Sequence, residues 1–282
     1  MVKLGSDSAG RLLLSLSGDC KDEMASVLQE GAWDVLGLLG VDWPDYSPLI
    51  PYASRIKHLR VPFGPDSSRG LEQLEALEIL ESTDILRPPV DFRKLELLTE
   101  LSAIWDGKRP QHYAVPGLRR LTLGSVGGSD LQWLPNDSML EYLELRGGRL
   151  RSLDGIGQLR HLSELRVREL NWCNNVLSVA SLSNLTWLLL DTPKASLDTI
   201  DFIGSMPCLN YFETSAVVHH VDWGVVAAAT NLKSIAVVMP FADADECAIR
   251  KAFEPYERTI KHLKVYCGNR NGSGAGVHLE LS

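Results

Sequence analysis

Leu140, Glu141, Tyr142, Leu143, Glu144, Leu145 and Arg146 are echoed 22 positions later by Leu162, Ser163, Glu164, Leu165, Arg166, Val167 and Arg168. A third copy runs through Leu185, Thr186, Trp187, Leu188, Leu189, Leu190 and Asp191. Apolar residues hold the first, fourth and sixth places of each copy. In the second half apolar and polar residues alternate, so one face is buried and the other wet, the pattern of a short strand. Leu118, Leu121 and Leu123 repeat it upstream. Looser copies start at Trp33, Ile56, Leu74, Leu98, Leu209, Leu232 and Ile260, with gaps of 18 to 28 residues along the series. Self-similarity at this period marks stacked units, none of which can bury its apolar edge alone.

The segments between strands are short. Leu150, Leu153, Ile156, Leu159 and Leu162 recur every third residue, which suits 3₁₀ turns, whose side chains at i and i+3 eclipse, and leaves little room for helix between Ile56 and Met239. Both ends depart from the pattern and read as caps. Residues 1–32 combine a strand expected over Arg11 to Leu16 with a helix expected over Asp22 to Gln29, and residues 33–240 carry the repeats. In residues 241–282, Asp243 and Glu246 form a capping-box signal and Ile249, Phe253 and Tyr256 mark one helix face. A strand over Ile260 to Tyr266, a loop over Asn269 to Gly276, and the alternating Val277, Leu279 and Leu281 suggest a terminal hairpin that closes the last sheet edge.

Leu140 to Leu190 resembles the short, 22-residue class of leucine-rich repeat found in internalin-type bacterial proteins and in the leucine-rich regulatory subunit of protein phosphatase 1. That resemblance implies an α/β fold, a leucine-rich repeat solenoid with a curved parallel β-sheet on its concave side, an irregular or 3₁₀ convex side and α/β caps. It also implies a concave face that holds another protein. The family's Asn just after the strand is replaced here by Gly148, Leu170, Pro193 and Val217, so irregular turns are expected.

Composition narrows the classes of function. Lys plus Arg number 28 against 36 Asp plus Glu, and the net charge of −8 has the wrong sign for a general phosphate binder, which disfavours nucleic acid. Cys20, Cys173, Cys208, Cys247 and Cys267 are scattered, odd in number and without zinc spacing, so reduced thiols and a cytoplasmic location are expected. The apolar run Leu12 to Leu16 is short and broken by Ser15, a poor signal peptide, and no stretch approaches the roughly 18 apolar residues of a membrane span.

Catalysis and metal binding find weak support. Gly155-Ile156-Gly157 and Gly272 to Gly276 lack the strand and helix that frame a phosphate loop. Cys20 with Asp22 resembles the nucleophile motif of bacterial leucine-rich repeat ubiquitin ligases, but in those proteins it sits in a separate helical domain, so a cap or surface cysteine is the better reading. His219 and His220 point to opposite faces of any strand, and Asp243 with Asp245 lacks the glycine and glutamate of a calcium loop. No enzyme activity, cofactor or metal is expected.

Alternation leaves three rows of side chains for the concave face. In its middle they gather Arg120, Tyr142, Glu144, Arg146, Glu164, Arg166, Arg168, Trp187, Asp191, Tyr211 and Glu213, rich in the aromatic and arginine residues that dominate binding energy at protein interfaces. Trp105 is a candidate extension. The bland alternative is that the charges pair laterally, Arg146 with Glu164 for example, and the aromatics merely cover the sheet. The expected function is a non-enzymatic protein-binding module, monomeric when unbound, of inhibitor or immunity type because no segment outside repeats and caps is left to recruit a second partner. The acidic balance favours a basic partner. The competing reading is a regulatory or targeting subunit of an enzyme such as a phosphatase, or the recognition part of a ligase complex.

Overall fold

Strand forms wherever the alternating half of a unit falls. Leu165 and Val167 are fully buried, while Glu164, Arg166 and Arg168 between and beside them reach solvent. The computed structural model describes residues 1–105, 110–136, 138–170, 173, 175–192, 194–229, 231–239, 251–252, 254 and 262–267. The expected cap helix marked by Ile249, Phe253 and Tyr256, and the expected hairpin after Cys267, lie outside the described residues. The chain gathers into two compact units, Met1–Gly124 with Asp137–Met139, and Ser125–Asn136 with Leu140–Ser282.

In the first unit β1 (Val2–Ser6) pairs antiparallel with β2 (Leu12–Gly18). Helix α1 (Lys21–Glu30) follows, burying Met24 and Leu28. Then β3 (Val35–Val41), β4 (His58–Phe63), β5 (Ile79–Ser82), β6 (Glu100–Ile104) and β7 (Arg120–Val126, whose last two residues belong to the second unit) add in parallel, one beside the next. Leu14, Leu36, Leu59, Leu80, Leu101 and Leu121 stand in register across these strands, and none is more than 2% exposed.

The second unit repeats the arrangement. Strands β8 (Tyr142–Gly148), β9 (Glu164–Arg168), β10 (Trp187–Asp191), β12 (Tyr211–His220), β13 (Ser234–Met239) and β14 (His262–Cys267) are parallel neighbours, and β11 (Ser196–Thr199) pairs with the far end of the long β12. Their core ladder is Leu143, Leu165, Leu188, Phe212, Ile235 and Leu263, all fully buried. Each such side chain contributes on the order of 1.5–3 kcal/mol when removed from water. The three-residue interval also becomes structure. Leu150, Leu153, Ile156, Leu159 and Leu162 are fully buried, and the amides of Ile156, Leu159 and Leu162 each donate to the carbonyl three residues back. From Ile56 to Met239 the described α-helix is α2 (Trp223–Ala227), started by Asp222, whose carboxylate accepts from the amides of Gly224 and Val225.

Two local readings need correction. The unit assigned to Leu74 starts instead at Leu77. Leu71, Leu74 and Leu77 form a three-spaced 3₁₀ ladder, and β5 presents Ile79 and Glu81 to solvent, three residues beyond Ala76 and Glu78, which a start at Leu74 would have put there. At the N-terminus β1 was not anticipated. Its hairpin is turned by Asp7, whose carboxylate accepts from the amides of Ala9 and Arg11 at 2.9 and 3.0 Å.

The missing asparagines are partly replaced by other inter-turn bonds. Asn184, one residue before its unit begins, donates from Nδ2 to the Arg160 carbonyl at 2.7 Å, and Asn231 bonds Pro207 in the same way one turn later. Hydroxyls one residue after the start do likewise, Ser163 to Glu141 at 3.0 Å and Thr186 to Ser163 at 2.9 Å. Where the family Asn would follow β8, Gly148 stands at φ +100°, with the next two amides donating to the Val126 carbonyl at 2.7 and 3.1 Å. A Cβ on Gly148 would overlap the Val126 backbone, whereas one on Gly147, at φ +59°, would meet nothing within 4 Å. Gly147→Ala should therefore cost about 1–2 kcal/mol, the left-handed penalty alone. Gly148→Ala should cost distinctly more, read as a larger drop in the urea midpoint; equal costs would show that the close approach to Val126 does not constrain the turn.

Candidate functional site

Residues that alternate with the buried ladder of the second unit share its opposite, solvent-side face. Strand register places Tyr142, Glu164, Trp187 and Tyr211 in one row, Glu144, Arg166, Leu189 and Glu213 in the next, and Arg146, Arg168 and Asp191 in a third. All the expected face residues except Arg120 thus belong to one surface of one unit. Arg120 lies on β7 within the first unit, its Nε 3.8 Å from a Glu100 carboxylate oxygen.

Across β8, β9, β10 and β12 an aromatic and a cation interleave. The Trp187 and Tyr211 rings stack with centroids 3.7 Å apart and planes 11° from parallel. The Arg166 guanidinium lies 5.6 Å from the Tyr142 ring centroid and 5.9 Å from that of Trp187, within cation–π range of both. Glu164, two residues back on the same strand, holds that guanidinium at 2.5 Å. Trp187 stays 37% exposed, because Leu188 and Phe212 already fill the core beneath this row.

Two of the charge pairs run along a strand and a third runs across to the neighbouring one. Arg146 grips Glu144, two residues back on its own strand, through bonds of 2.8 and 3.0 Å, so the lateral pair with Glu164 does not form. Arg168 Nε comes within 3.0 Å of the same carboxylate, off the line of a hydrogen bond. Beneath them Glu144 is only 1% exposed and Tyr142 7%, so these two expected contact residues support the surface instead of presenting themselves on it. Burial, reinforced by the hydrogen bond that its hydroxyl donates to Glu144 at 2.6 Å, pushes Tyr142 up to about 12 and keeps it a neutral donor. Burial alone would raise Glu144. Hydrogen bonds from Arg146 and Tyr142, with the charges of Arg146 and Arg168, outweigh it and hold the carboxyl below its ordinary range.

Sequence reasoning missed two features. A shallow pocket of about 330 Å³ opens beside the stacked rings and includes Leu189 and Ser215 in its wall. On the first unit's face, His58 is buried with Nδ1 3.1 Å from Arg11 and Nε2 2.7 Å from Glu81, and Arg60 binds Glu81 at 3.0 and 3.1 Å. The hydrogen bond from His58 and those from Arg60 overcome burial and bring Glu81 down to about 2. The Leu74 slip had concealed this carboxylate.

Other candidates resolve into structure. Trp105 is buried and stacks on Tyr113 at 5.1 Å in the first unit, so it does not extend the exposed patch. Cys20 is the buried residue ahead of α1, and burial pushes its thiol up, away from the thiolate a nucleophile needs. His219 and His220 are the exposed last residues of β12, and among the described residues no cluster of His, Cys, Asp or Glu is arranged to hold a metal ion.

No family model matches the chain, and no curated protein sequence matches it. Solved structures do. An internalin (inlF) from Listeria monocytogenes superposes with a TM-score of 0.51 at 14% identity, over 72% of this chain and 67% of its own. The functional domain of InlJ from the same organism gives 0.55 at 17% identity, over 73% of this chain but only 44% of its own, so the likeness spans less than half of that protein. At such identities the likeness is one of fold, and the fold is that of leucine-rich repeat proteins.

Glu144 and Glu81 set a pH dependence whose sign follows from their depressed values. A carboxyl held below its unfolded value of about 4.3 contributes stability that is complete above that pH and lost as pH falls through the folded value. Unfolding in urea should therefore show stability falling below about pH 4.3, for Glu81 down to about pH 2. Glu81→Gln and Glu144→Gln should be less stable near neutrality and lose less on acidification; variants that keep the full acid slope would show that these carboxylates do not carry it.

Proposed function

We propose that this chain is a non-enzymatic binding module that holds a protein partner on the solvent-side face of its second unit, centred on Trp187, Tyr211 and Arg166. The observation that carries the proposal is the stacked Trp187–Tyr211 pair, continued by Arg166 and left open to water on a face whose core needs neither ring. A cross-strand aromatic pair adds about 0.5–1.5 kcal/mol to stability. At a binding interface the same side chains commonly supply about 2 kcal/mol or more each. The location we infer is cytoplasmic, supported by the free thiols of Cys20, Cys173 and Cys208. A net charge of −8 supports a basic partner, steered at long range and bound more slowly as salt rises. Inhibition of such a partner, by covering its basic surface, is the role we favour within this class.

Magnitudes separate the binding role from the structural one. With a partner captured from native lysate, Trp187→Ala, Tyr211→Ala and Arg166→Ala should each weaken affinity by about thirtyfold or more, measured by calorimetry on purified proteins, while the melting temperature moves by only a few degrees. Strong destabilisation of the free chain with unchanged affinity would assign the three residues to structure and remove this face from function.

A further inference from the structure

The exposed face of the second unit does not balance its charges residue by residue. Arg166 has Glu164, and Arg146 and Arg168 converge on Glu144. Asp191 and Glu213 differ. Each accepts a hydrogen bond from a neutral hydroxyl, Ser215 to Asp191 Oδ1 at 2.8 Å and Tyr211 to Glu213 Oε2, and among the described residues neither has an arginine or lysine within ion-pair distance. Among the described residues, one oxygen of each carboxylate has no hydrogen-bond donor. Both groups line the pocket of about 330 Å³ that Trp187, Tyr211 and Leu189 wall on the apolar side. Arg166 and Arg168 also line it, but each is engaged elsewhere, Arg166 by Glu164 and Arg168 with its Nε turned toward Glu144, so the carboxylates that face the pocket without a cation of their own are Asp191 and Glu213.

We propose that this pocket receives a single basic side chain, arginine in preference to lysine, projecting from the partner protein. The assignment rests on the binding role given above to this face and specifies the chemistry that the face recognises. An aromatic wall beside two carboxylates offers a guanidinium both of the interactions it makes best, its plane against the rings and its N–H fork on the acids. The chain already uses that chemistry once, where Arg166 rests beside Trp187 with its own carboxylate, Glu164. An acidic side chain would meet Asp191 and Glu213 in repulsion, and a neutral apolar one would leave them covered and unpaired, which costs more than it gains. The pocket is shallow and lies near the lower end of the roughly 300–1,000 Å³ that small-ligand sites enclose, which fits one side-chain tip supplied from above.

Three glycine- and serine-flanked hexapeptides, carrying arginine, citrulline or glutamate at one central position, test this on the full chain. The Trp187 indole N–H resonance, assigned by its loss in Trp187→Phe, reports binding. The arginine peptide should shift it saturably, the citrulline peptide should bind at least about tenfold more weakly, and the glutamate peptide should leave it unmoved. Asp191→Asn with Glu213→Gln should abolish the preference for arginine over citrulline at an unchanged melting temperature. Equal response to arginine and citrulline, no response to any peptide, or a preference that survives the double substitution would overturn the assignment. The binding role of the face stands or falls separately, on whether a captured partner needs Trp187: a partner that needs Trp187 but binds the double variant equally well keeps the face and removes the basic side chain.

Discussion

A turn of about 22 residues cannot bury its own leucines, and everything else in this chain follows from that. Leu165 is dry because Leu143 and Leu188 stand beside it in register, and each of those depends on its own neighbour in turn. Such a ladder tolerates no slip, since shifting a strand by one residue would turn Glu164 and Arg166 inward and the leucines out. The 3₁₀ segments extend the same constraint away from the strands, where Leu153, Ile156 and Leu159 use a three-residue period to keep one edge apolar. Because the ladder consumes alternate residues, the residues between them are released from packing duty, and function can vary there without disturbing the fold.

The two units use that freedom differently. On the first, Arg11 can only donate, so His58 Nδ1 must accept and the ring's Nε2–H faces Glu81, whose oxygens also hold Arg60. Asp7 completes the chain by pairing with Arg11 at 2.7 Å. Every member of that cluster is satisfied internally, so it ties the N-terminal hairpin to β4 and β5 and presents little unmet polarity. The second unit closes its arginines over Glu144 but stops there. Its aromatic stack stays wet, and Asp191 and Glu213 receive only hydroxyl donors. Unmet capacity of that kind on a rigid sheet is what a partner can exploit at low ordering cost.

Much of this was legible in the sequence because periodicity is a property of positions, and the ladder residues from Leu98 to Leu232 fall where the six-residue pattern puts them. The failures have local causes. Leu71, Leu74 and Leu77 offer two equally apolar starts three residues apart, and only spacing separates them: Leu77 lies 21 residues from both Ile56 and Leu98, whereas Leu74 lies 18 and 24 away. Strand β1 was hidden because Val2 and Leu4 carry too little pattern to be told from a frayed terminus, although Asp7 and Gly10 supply the turn. On the face, alternation correctly grouped Glu144 with its row, but it says nothing of which long side chains fold over which. Two arginines reaching the same carboxylate bury it, and that depends on rotamers that no spacing encodes.

Two of the three arginine pairings on this face run along a strand and one, Arg168 with Glu144, runs between strands, which bears on how this surface could diversify. Arg146 with Glu144 and Arg166 with Glu164 are each contained within one turn. A partner that displaced Arg166 from Glu164 would also loosen its contacts with Tyr142 and Trp187, but the backbone ladder to β8 and β10 would remain, held independently by leucine burial and amide bonds. Stability in a solenoid is approximately a sum over turns and their nearest neighbours, so a change at one face position is paid for locally and does not propagate along the array. Half-buried Glu213, bonded to Tyr211 on its own strand, can therefore be substituted within one turn, whereas Trp187, stacked on Tyr211, and Glu144, buried and reached from β8 by Arg146 and from β9 by Arg168, each couple two turns.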